Sequence, residues 1–380
     1  TPVVEADLLR TDGADEARAR LERHAPGIPR GLGRCYGDSS LAPVIYDMRG
    51  MDRLSSFDED TGLLVCEAGV SLEDILRTFV PRGWFLPVTP GTKFVTVGGA
   101  VAADVHGKNH HVDGSFGRHV AFLDLVRPGG EPVRCSASEH PDLFETTIGG
   151  MGLTGIILRA GIRLRKIETS FIREETLPFD RLDGILDCFE ESAGWTYSVA
   201  WIDCLSRGER MGRSAMMRGE HAAPDELPAG LRRRPLALED RFKLTVPFPL
   251  PSAALNAWTV RAFNEAIYRS YRRRTHIVSY DSFFYPLDRI HHWNRIYGPR
   301  GFTQYQFVLP LEAGREGLRA ILTRITGRGG GSFLAVLKLF GRQDGLLSFP
   351  MEGYTLALDF PVRPSLLPLL NELDAMVLDY

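Results

Sequence analysis

The sequence predicts an α+β fold of two domains. Its 380 residues are 44% hydrophobic, which is enough apolar material for two buried cores. Up to about residue 165, short strand patterns alternate with helix patterns, and beyond it strands of antiparallel type predominate. We therefore expect a first domain over residues 1–168 and a second over residues 169–380. The sheet of the second domain should be covered by helices on one face and open to a ligand on the other.

The first domain begins with a helix pattern at residues 15–24, followed by strand patterns at residues 44–48 and 63–67. Ser71 with Asp74 three residues later has the spacing of a capping box, so a helix should begin there and continue to residue 79. Residues 155–166 form a long strand pattern, which we expect to end the domain.

In the second domain, helix periodicity appears at residues 254–271, 311–325 and 365–378. Residues 218–251 are rich in Pro, Arg and Glu and weakly periodic, so we expect a long surface loop or lid there. Strand patterns are found at residues 197–204, 277–285, 303–309, 333–340 and 355–360.

Composition excludes several classes of protein. A formal net charge of −3 gives no overall field that would attract nucleic acid. The five cysteines are odd in number and lack C-x-x-C spacing, which argues against a disulfide framework or a zinc site and favours a reducing compartment. No apolar run reaches the roughly 18 residues of a spanning helix. We expect a cytoplasmic protein, either soluble or peripheral at the inner membrane, with a periplasmic location as an open alternative.

The basic residues of the sequence show two local features. Only five of the 45 basic residues are lysines, and two of these lie in the glycine-rich segments described next. The arginine-rich residues 268–274 are either a contact with lipid phosphates or a solvated helix end.

Three glycine-rich segments carry the candidate cofactor site. In the first, residues 31–40, three glycines allow backbone N–H groups to converge on an anion. This segment has neither the Rossmann spacing nor a Walker lysine, so by itself it is either a phosphate nest or an ordinary turn. The third, residues 149–157, opens a strand and by itself is also a tight connection between a helix and a strand.

The second segment covers residues 90–111. Small residues at positions 98–100, 102 and 103 predict a helix whose backbone a ligand can approach closely and whose N-terminal N–H groups face a phosphate. Three histidines follow, at positions 106, 110 and 111. Their spacing lacks the carboxylate arrangement of a metal site, so we expect no metal.

The substrate side is predicted from strand alternation. Gln304 and Gln306 share one face of a strand, and Tyr305 and Phe307 share the other. Two amides therefore point towards one region, where they could hydrogen-bond a polar ligand.

A buried cation is the second signal on this side. Lys338 interrupts an apolar run and needs a partner, which is either Asp359 or a substrate hydroxyl or phosphate. Several aromatic residues are either core residues or stacking contacts for a ligand: Tyr36, Trp201 and Tyr285.

Taken together, the strings GLGRCYGDS, PGTKFVTVGGAVAADVHGKNHH, GSFGRHV and GGMGLTGII resemble the FAD-binding domain of the vanillyl-alcohol oxidase superfamily. In the second domain AWID, FYPLD, HHWNRIYGP, GFTQYQFVLP and LKLFG extend the resemblance, within that superfamily, to the decaprenylphosphoryl-β-D-ribose oxidase family, the flavin subunit of a 2′-epimerase. The resemblance covers nearly the whole chain. HGKNHH and QYQF are its specific strings.

The resemblance implies a vanillyl-alcohol-oxidase-type FAD-binding domain and a residue set for each role. Cofactor-binding residues are expected at Gly31, Gly33, Arg34, Cys35, Tyr36, Gly37, Asp38, Ser39, Gly91, Thr92, Thr96, Val97, Gly98, Gly99, His106, Gly107, Lys108, Asn109 and Ile157. Substrate-binding residues are expected at Tyr36, Trp201, Tyr285, Gln304, Gln306, Lys338 and Thr355. Catalytic residues are expected at His106, Lys108, Gln306 and Lys338.

The activity that the resemblance implies is FAD-dependent oxidation of the ribose 2′-hydroxyl of a polyprenylphosphoryl ribose to a keto sugar. This is the first half of an epimerisation towards arabinose for cell-wall arabinan, and it implies a separate NAD(P)H-dependent keto reductase as a partner. The alternative activities are oxidation of another alditol, aldonolactone or nucleoside-linked sugar. An alternative of another class is a non-catalytic flavin-binding protein.

Two departures from the family pattern lead to further expectations. Many relatives tether the flavin through a histidine at the position of Arg34, so we expect non-covalent FAD. Family members also continue into a segment of the form GGRLYxAKD, whose tyrosine contacts the flavin and whose lysine serves catalysis. This sequence stops at Tyr380, ahead of that segment, so we expect the natural protein to be longer.

Overall fold

The computed structural model describes residues 4–24, 26–35, 37, 39–238, 244–251, 255–328, 332 and 334–380. The strands are Asp7–Arg10 (β1), Ile28–Arg30 (β2), Val44–Asp47 (β3), Leu54–Asp58 (β4), Leu63–Glu67 (β5), Trp84–Phe85 (β6), Val120–Val126 (β7), Val133–Cys135 (β8), Ile156–Arg163 (β9), Arg165–Lys166 (β10), Phe171–Phe179 (β11), Tyr197–Ile202 (β12), Ser214–His221 (β13), Leu244–Thr245 (β14), Arg274–Ser279 (β15), Ile290–His291 (β16), Phe302–Leu309 (β17), Ala335–Phe340 (β18) and Gly353–Pro361 (β19). The α-helices are Ala14–His24 (α1), Leu72–Phe79 (α2), Val97–Ala102 (α3), His110–Asp113 (α4), Pro141–Thr147 (α5), Leu182–Glu191 (α6), Ala229–Arg232 (α7), Ala257–Ser270 (α8), Tyr280–Phe284 (α9), Leu311–Gly327 (α10) and Leu366–Leu378 (α11).

The first part of the chain builds two sheets. A parallel sheet has the strand order β1-β3-β2, and an antiparallel sheet has the order β4-β5-β9-β7-β8. Helix α2 begins at the predicted capping box, in which Ser71 Oγ accepts from Asp74 N at 3.1 Å and Asp74 Oδ2 accepts from Ser71 N at 3.2 Å. Its buried residues pack into the core of this part: Leu72, Ile75, Leu76 and Phe79.

The second part of the chain forms one seven-stranded antiparallel sheet with the order β15-β11-β13-β12-β18-β19-β17. Helices α6, α10 and α11 cover one face, where their leucines and isoleucines form a single core with alternate residues of the strands. Tyr305 and Phe307 of β17 belong to this covered side. The side chains of the other parity, which include both predicted glutamines, therefore lie on the opposite face.

Most predicted elements are confirmed to within a few residues. Those at residues 15–24, 63–67, 303–309, 311–325 and 365–378 correspond to α1, β5, β17, α10 and α11. Two predictions are wrong. The strand expected through residue 285 ends at Ser279, because the Ser279 hydroxyl caps α9 by accepting from Ser282 N at 3.4 Å. The loop expected from residue 218 begins inside β13 and includes α7 and β14.

Apolar packing joins the two parts of the chain. Phe283 and Phe284 of α9 belong to the same buried cluster as Phe85 of β6, and the ring centroids of Phe85 and Phe284 are 5.3 Å apart. None of the helices in the described ranges combines the length and the hydropathy that a membrane span requires.

Candidate active site

The first glycine loop is an open row of backbone donors. Arg30 closes its base, since Nη1 donates to Ser40 Oγ at 2.7 Å. Gly33 and Gly37 have φ angles of +62° and +89°, which glycine adopts without strain. Within the described part of this loop, the N–H groups of residues 32–35 donate to no protein acceptor, and most of this stretch is exposed. Such a row fits the oxygens of a diphosphate.

Gly31 presses the loop against the second glycine segment. A Cβ atom at Gly31 would lie only 2.1 Å from Thr96 Oγ1, so only glycine fits here without a shift. Tyr36 and Asp38 lie outside the described residues. The other predicted binding residues of the loop that carry side chains are exposed: Arg34, Cys35 and Ser39.

The backbone N–H groups at the start of α3 are not free to bind a phosphate, contrary to the prediction. The N–H groups of Val97 and Gly98 donate at 2.8 Å to carbonyl oxygens of residues that follow β5, and Gly99 N donates at 3.2 Å to the capping hydroxyl of Thr96. The prediction that these N–H groups face a phosphate is therefore wrong. The protein itself satisfies the donors, because α3 is packed against the preceding sheet.

The two glycines of α3 have different surroundings. A Cβ atom on Gly98 would lie 2.9 Å from the Cβ atom of Ala68, so this glycine serves internal packing. Gly99 is exposed, and a Cβ atom there would approach only Thr96 Oγ1, at 3.1 Å. The exposed side of α3 at Gly99 is therefore a flat backbone surface beside the first loop.

The turn at Gly91 and Thr92 is anchored to the second part of the chain. Lys93 N donates to Asp288 Oδ2 at 3.0 Å, and Lys93 Nζ lies 2.6 Å from Asp281 Oδ1. This largely buried pair of Lys93 and Asp281 was missed as a site feature, although the rarity of lysine in the sequence pointed to it. Gly91 itself is exposed with open space around its Cα atom.

Asp104 forms a buried network that sequence reasoning also missed. Its carboxylate accepts from Ser115 Oγ and Gly117 N at 2.7 Å each, and from Gln343 Nε2 at 3.2 Å. Ser348 Oγ donates to the same carboxylate. Gln343 and Ser348 follow β18, so this Asp104 network fixes the loop after β18 to the turn that precedes His106.

The predicted residues at the end of this turn have structural partners. Asn109 is 1% exposed and donates from Nδ2 to Pro87 O at 2.8 Å and to Asp113 Oδ2 at 2.6 Å. Its side chain therefore holds the turn and does not face a ligand, which corrects its cofactor-binding prediction. Two further predicted residues, Gly107 and Ile157, are also buried.

The side chains of His106 and Lys338 lie next to each other, as expected if both belong to one catalytic site. Lys338 Nζ lies 3.5 Å from His106 Nδ1, at the outer limit of a hydrogen bond. Burial lowers the pKa of Lys338 to about 8. Burial, and to a lesser degree the neighbouring Lys338 and His110, hold the pKa of His106 well below its ordinary value. At neutral pH the pair is thus an ammonium beside a neutral imidazole, whose Nδ1 accepts and whose Nε2–H is left to donate.

Lys108 is the second half-buried lysine of the site. Its Nζ donates to Phe283 O and lies 4.2 Å from the centroid of the Phe283 ring. Burial lowers its pKa to about 7, against the opposing effect of the Glu174 carboxylate, while Lys338 lowers it further. Glu174, on the ligand face of β11, is a charge that sequence reasoning did not single out.

The two predicted amides lie side by side on the open face of the sheet. Gln306 Nε2 donates to Thr355 Oγ1 at 3.0 Å, and Thr355 is the register partner of Lys338 across β18 and β19. Gln304 Nε2 donates to Asp359 Oδ1 at 3.0 Å. Asp359 is thus engaged by Gln304, and Lys338 lies next to His106 instead, so the predicted pairing of Lys338 with Asp359 is wrong. The alternative, a substrate hydroxyl or phosphate as partner, stays a prediction.

The predicted aromatic contacts divide into two kinds. Tyr285 is completely buried, and its hydroxyl lies 2.5 Å from Thr89 Oγ1. It is a core residue, so its substrate-binding prediction is wrong. Trp201 is also buried, at 7% exposed, but it lies on the open face of the sheet, with its ring centroid 5.9 Å from that of Tyr271.

The arrangement fits an extended dinucleotide cofactor next to a polar substrate. Free N–H donors line the first loop, and Gly99 presents backbone where a side chain would obstruct a planar ring. Beyond them, two half-buried lysines, a neutral histidine and an amide form a wall of hydrogen-bond donors. This donor set suits a ligand with hydroxyl and phosphate oxygens.

Comparison with known proteins gives the same cofactor. Residues 12–136 match a family described as FAD binding domain. The chain is 41% identical to decaprenylphosphoryl-β-D-ribose oxidase of Mycolicibacterium smegmatis over 370 residues, which are 96% of this chain and 80% of that protein. It is also 34% identical to an uncharacterized protein of Streptomyces coelicolor, over 81% of this chain and 86% of the other.

Proposed function

Because this chain belongs to the decaprenylphosphoryl-β-D-ribose oxidase family of FAD-dependent oxidoreductases, we propose that it oxidises the ribose 2′-hydroxyl of a polyprenylphosphoryl ribose to the keto sugar. The proposal rests on one observation. His106 and Lys338 lie side by side, next to Thr355 and Gln306. A cation and an amide donor there suit a sugar hydroxyl and its phosphate.

The FAD-binding side is proposed for residues 1–168 and the substrate side for residues 169–380. The free N–H groups of residues 32–35 would hold the diphosphate, and the exposed backbone of Gly99 would lie against the ring system. Arg34 stands where a tethering histidine would be needed. We therefore place FAD in this site without a covalent bond.

Bound FAD supplies a two-electron acceptor for the hydride that leaves the carbon of the reacting hydroxyl. The residues of the chain orient that carbon and handle the proton. Lys338 and Gln306 donate to the sugar and phosphate oxygens, which fixes the orientation of the C–H bond. Lys108, whose pKa is about 7, is half neutral at neutral pH and takes up the hydroxyl proton.

A keto sugar is a product that another enzyme must reduce if an epimer is to form. We therefore place a separate NAD(P)H-dependent keto reductase after this reaction, with the arabinose derivative as the joint product. The prenyl tail of such a substrate belongs in a bilayer, which favours a position at the inner membrane surface.

Flavin bleaching tests the proposed function directly. The FAD-loaded protein is mixed without oxygen with a short-chain prenylphosphoryl ribose or with free arabinitol. The prenylphosphoryl sugar should remove the visible flavin absorbance, and the alditol should leave it. Lys338→Gln should slow bleaching by two orders of magnitude or more, since one lost oriented donor costs about 2.7–4 kcal/mol.

The exposed Lys166 provides the control, because Lys166→Gln changes the charge equally outside the site. Faster bleaching by arabinitol than by the prenylphosphoryl ribose would refute the proposed substrate class. An undiminished rate in Lys338→Gln would refute the assigned face.

A further inference from the structure

One stretch of the chain has a charge opposite to that of the whole. Residues 244–300 contain eight arginines against three carboxylic acids, an excess of five positive charges, whereas the whole chain has a net charge of −3. Two of the three acids are engaged with Lys93, through Asp281 Oδ1 and Asp288 Oδ2. The arginines of this stretch thus produce a local positive field that the global charge hides.

Helix α8, in this stretch, turns two polar side chains towards the protein beside the buried Val260 and leaves apolar side chains exposed. Asn264 is completely buried and donates to Asp203 Oδ1 at 2.7 Å. Glu265 pairs with the buried Arg213 at 2.5 Å. On the outer side Trp258 is 79% exposed, and Ala262 and Ala266 follow it at helical spacing on the same exposed stripe.

Further apolar and basic groups flank the helix. Before it, Leu244 is 59% exposed and Phe248 is 62% exposed. After it, Arg273 and Arg274 are exposed, and no carboxylate of the described residues pairs with either. Trp258 lies at the N-terminal end of α8, whereas Arg273 and Arg274 follow its C-terminal end. A helix with an exposed tryptophan and flanking arginines has the composition of a membrane-interface element, in which rings lie at headgroup level and guanidinium groups bind phosphates.

The helix also ends at the substrate site. Tyr271 directly follows α8, and its ring centroid is 5.9 Å from that of Trp201 on the open face of the sheet. A surface held by α8 would therefore lie at the edge of the wall that contains Lys338. A lipid-linked substrate could pass from such a surface to the site without leaving its bilayer.

We propose that the α8 surface, formed by Leu244, Phe248, Trp258, Arg273 and Arg274, docks on a bilayer that contains anionic phospholipid. The inference deepens the proposed function, because it rests on a substrate with a prenyl tail. The apolar side chains enter the interface, and the arginines contact lipid phosphates.

Co-sedimentation of the FAD-loaded protein with vesicles tests the surface without any substrate. Vesicles of phosphatidylglycerol and phosphatidylcholine should bind the protein, and vesicles of phosphatidylcholine alone should bind it at least tenfold more weakly. Arg273→Gln and Arg274→Gln should each reduce binding about fivefold, with a weaker effect at high salt. Trp258→Ser should reduce binding about tenfold at any salt concentration.

Leu367→Ser is the matched control, because Leu367 on α11 is a 69% exposed apolar residue outside this surface. It should bind vesicles as the unaltered protein does. Failure of the unaltered protein to bind anionic vesicles, or equal binding by Trp258→Ser, overturns the proposal. A change of Trp258→Ser in self-association on a sizing column, with vesicle binding unchanged, assigns the surface to a second copy and also overturns it.

The proposed docking surface and the proposed function can be refuted independently of each other. Flavin bleaching by a short-chain, water-soluble prenylphosphoryl ribose should be unchanged in Trp258→Ser, because this side chain lies outside the site. If the unaltered protein binds anionic vesicles but no prenylphosphoryl ribose bleaches it, the proposed function falls while the docking surface remains.

Discussion

The two sides of the candidate active site are built from different chemical groups. On the cofactor side, residues 32–35 offer backbone N–H groups, and glycines at positions 31 and 99 keep side chains out of the way. On the substrate side, donors come from side chains in the middle of strands, among them Lys338 and Gln306. Backbone donors do not titrate, whereas lysines with lowered pKa values do, so pH should affect the two sides differently.

The glycines of the cofactor side also serve two purposes. Gly98 allows α3 to pack on the residues after β5, while Gly31 brings the first loop against the cap of α3. A glycine in such a segment can therefore serve internal packing instead of a ligand. The N–H groups at the start of α3 are all used within the protein.

The largest effect is expected from Gly98→Val. Its Cβ atom would lie 2.9 Å from the Cβ atom of Ala68, and the added methyl groups have no space against the sheet. We expect the free energy of unfolding of the FAD-free protein to fall by about 3 kcal/mol, as for severe overpacking. Urea unfolding measures it, with Gly99→Ala as the control, whose loss should stay small. Equal stability of Gly98→Val and the unaltered protein would contradict the packing role.

A smaller and more selective effect is expected from Gly31→Ala. The new methyl group meets Thr96 Oγ1, so the loop must shift. If this loop holds the diphosphate as proposed, the shift removes at least one of its N–H bonds. FAD affinity should fall tenfold or more, since a hydrogen bond to a charged group contributes about 1.5–3 kcal/mol. Isothermal titration with FAD measures this.

Two further variants isolate the cause. Gly13→Ala has open space around its Cβ position and should bind FAD normally. Adding Thr96→Ala to Gly31→Ala removes the clashing hydroxyl and should recover part of the affinity. No recovery in the double variant would mean that the contact with Thr96 is not the cause.

The smallest expected effect is a pH dependence, which should differ between the substrate side and the cofactor side of the candidate site. In the free protein Lys338 is cationic below its pKa of about 8 and loses its charge as the pH rises through that value. Affinity for an anionic prenylphosphoryl ribose should therefore fall above pH 8, by up to about tenfold per pH unit, while FAD affinity stays flat. Binding titrations across this range measure both.

Substitutions of Lys338 identify the group that titrates. Lys338→Gln should bind the anionic ligand more weakly at all pH values and show no break near pH 8. Lys338→Arg keeps the charge and should move the break beyond the range. A break near pH 8 that persists in Lys338→Gln would assign the titration to a different group.

The sequence predicted what local pattern determines. The capping box at Ser71, the helix periodicity of α10 and the alternation of β17 depend on neighbouring residues and were found where expected. The strands β11 and β13 were missed, because arginines and glutamates within them interrupt the apolar alternation. The helix α9 was taken for a strand because its aromatic run satisfies both patterns.

In the candidate site, the sequence predicted the residue types but not their partners. Lys338 was expected to need a partner, and only the tertiary fold brings His106 to it from 232 residues away. Asn109 and Tyr285 were placed at the ligand because a motif does not reveal which way a side chain points. The Asp104 network has no local signal, since its acceptor and its donors Gln343 and Ser348 come from distant segments.

The Asp104 network has a consequence for the order of events during synthesis. Asp104 and Ser348 are separated by 244 residues, and the pair of Lys93 with Asp281 by 188. At about 20 residues per second, the ribosome needs roughly 12 s to travel from Asp104 to Ser348. The glycine segments are made early, but the turn that bears His106 has to wait for the loop after β18. FAD therefore meets a finished pocket only when nearly all of the described chain has emerged, and a nascent chain would depend on its apolar cores, not on its cofactor, to remain compact.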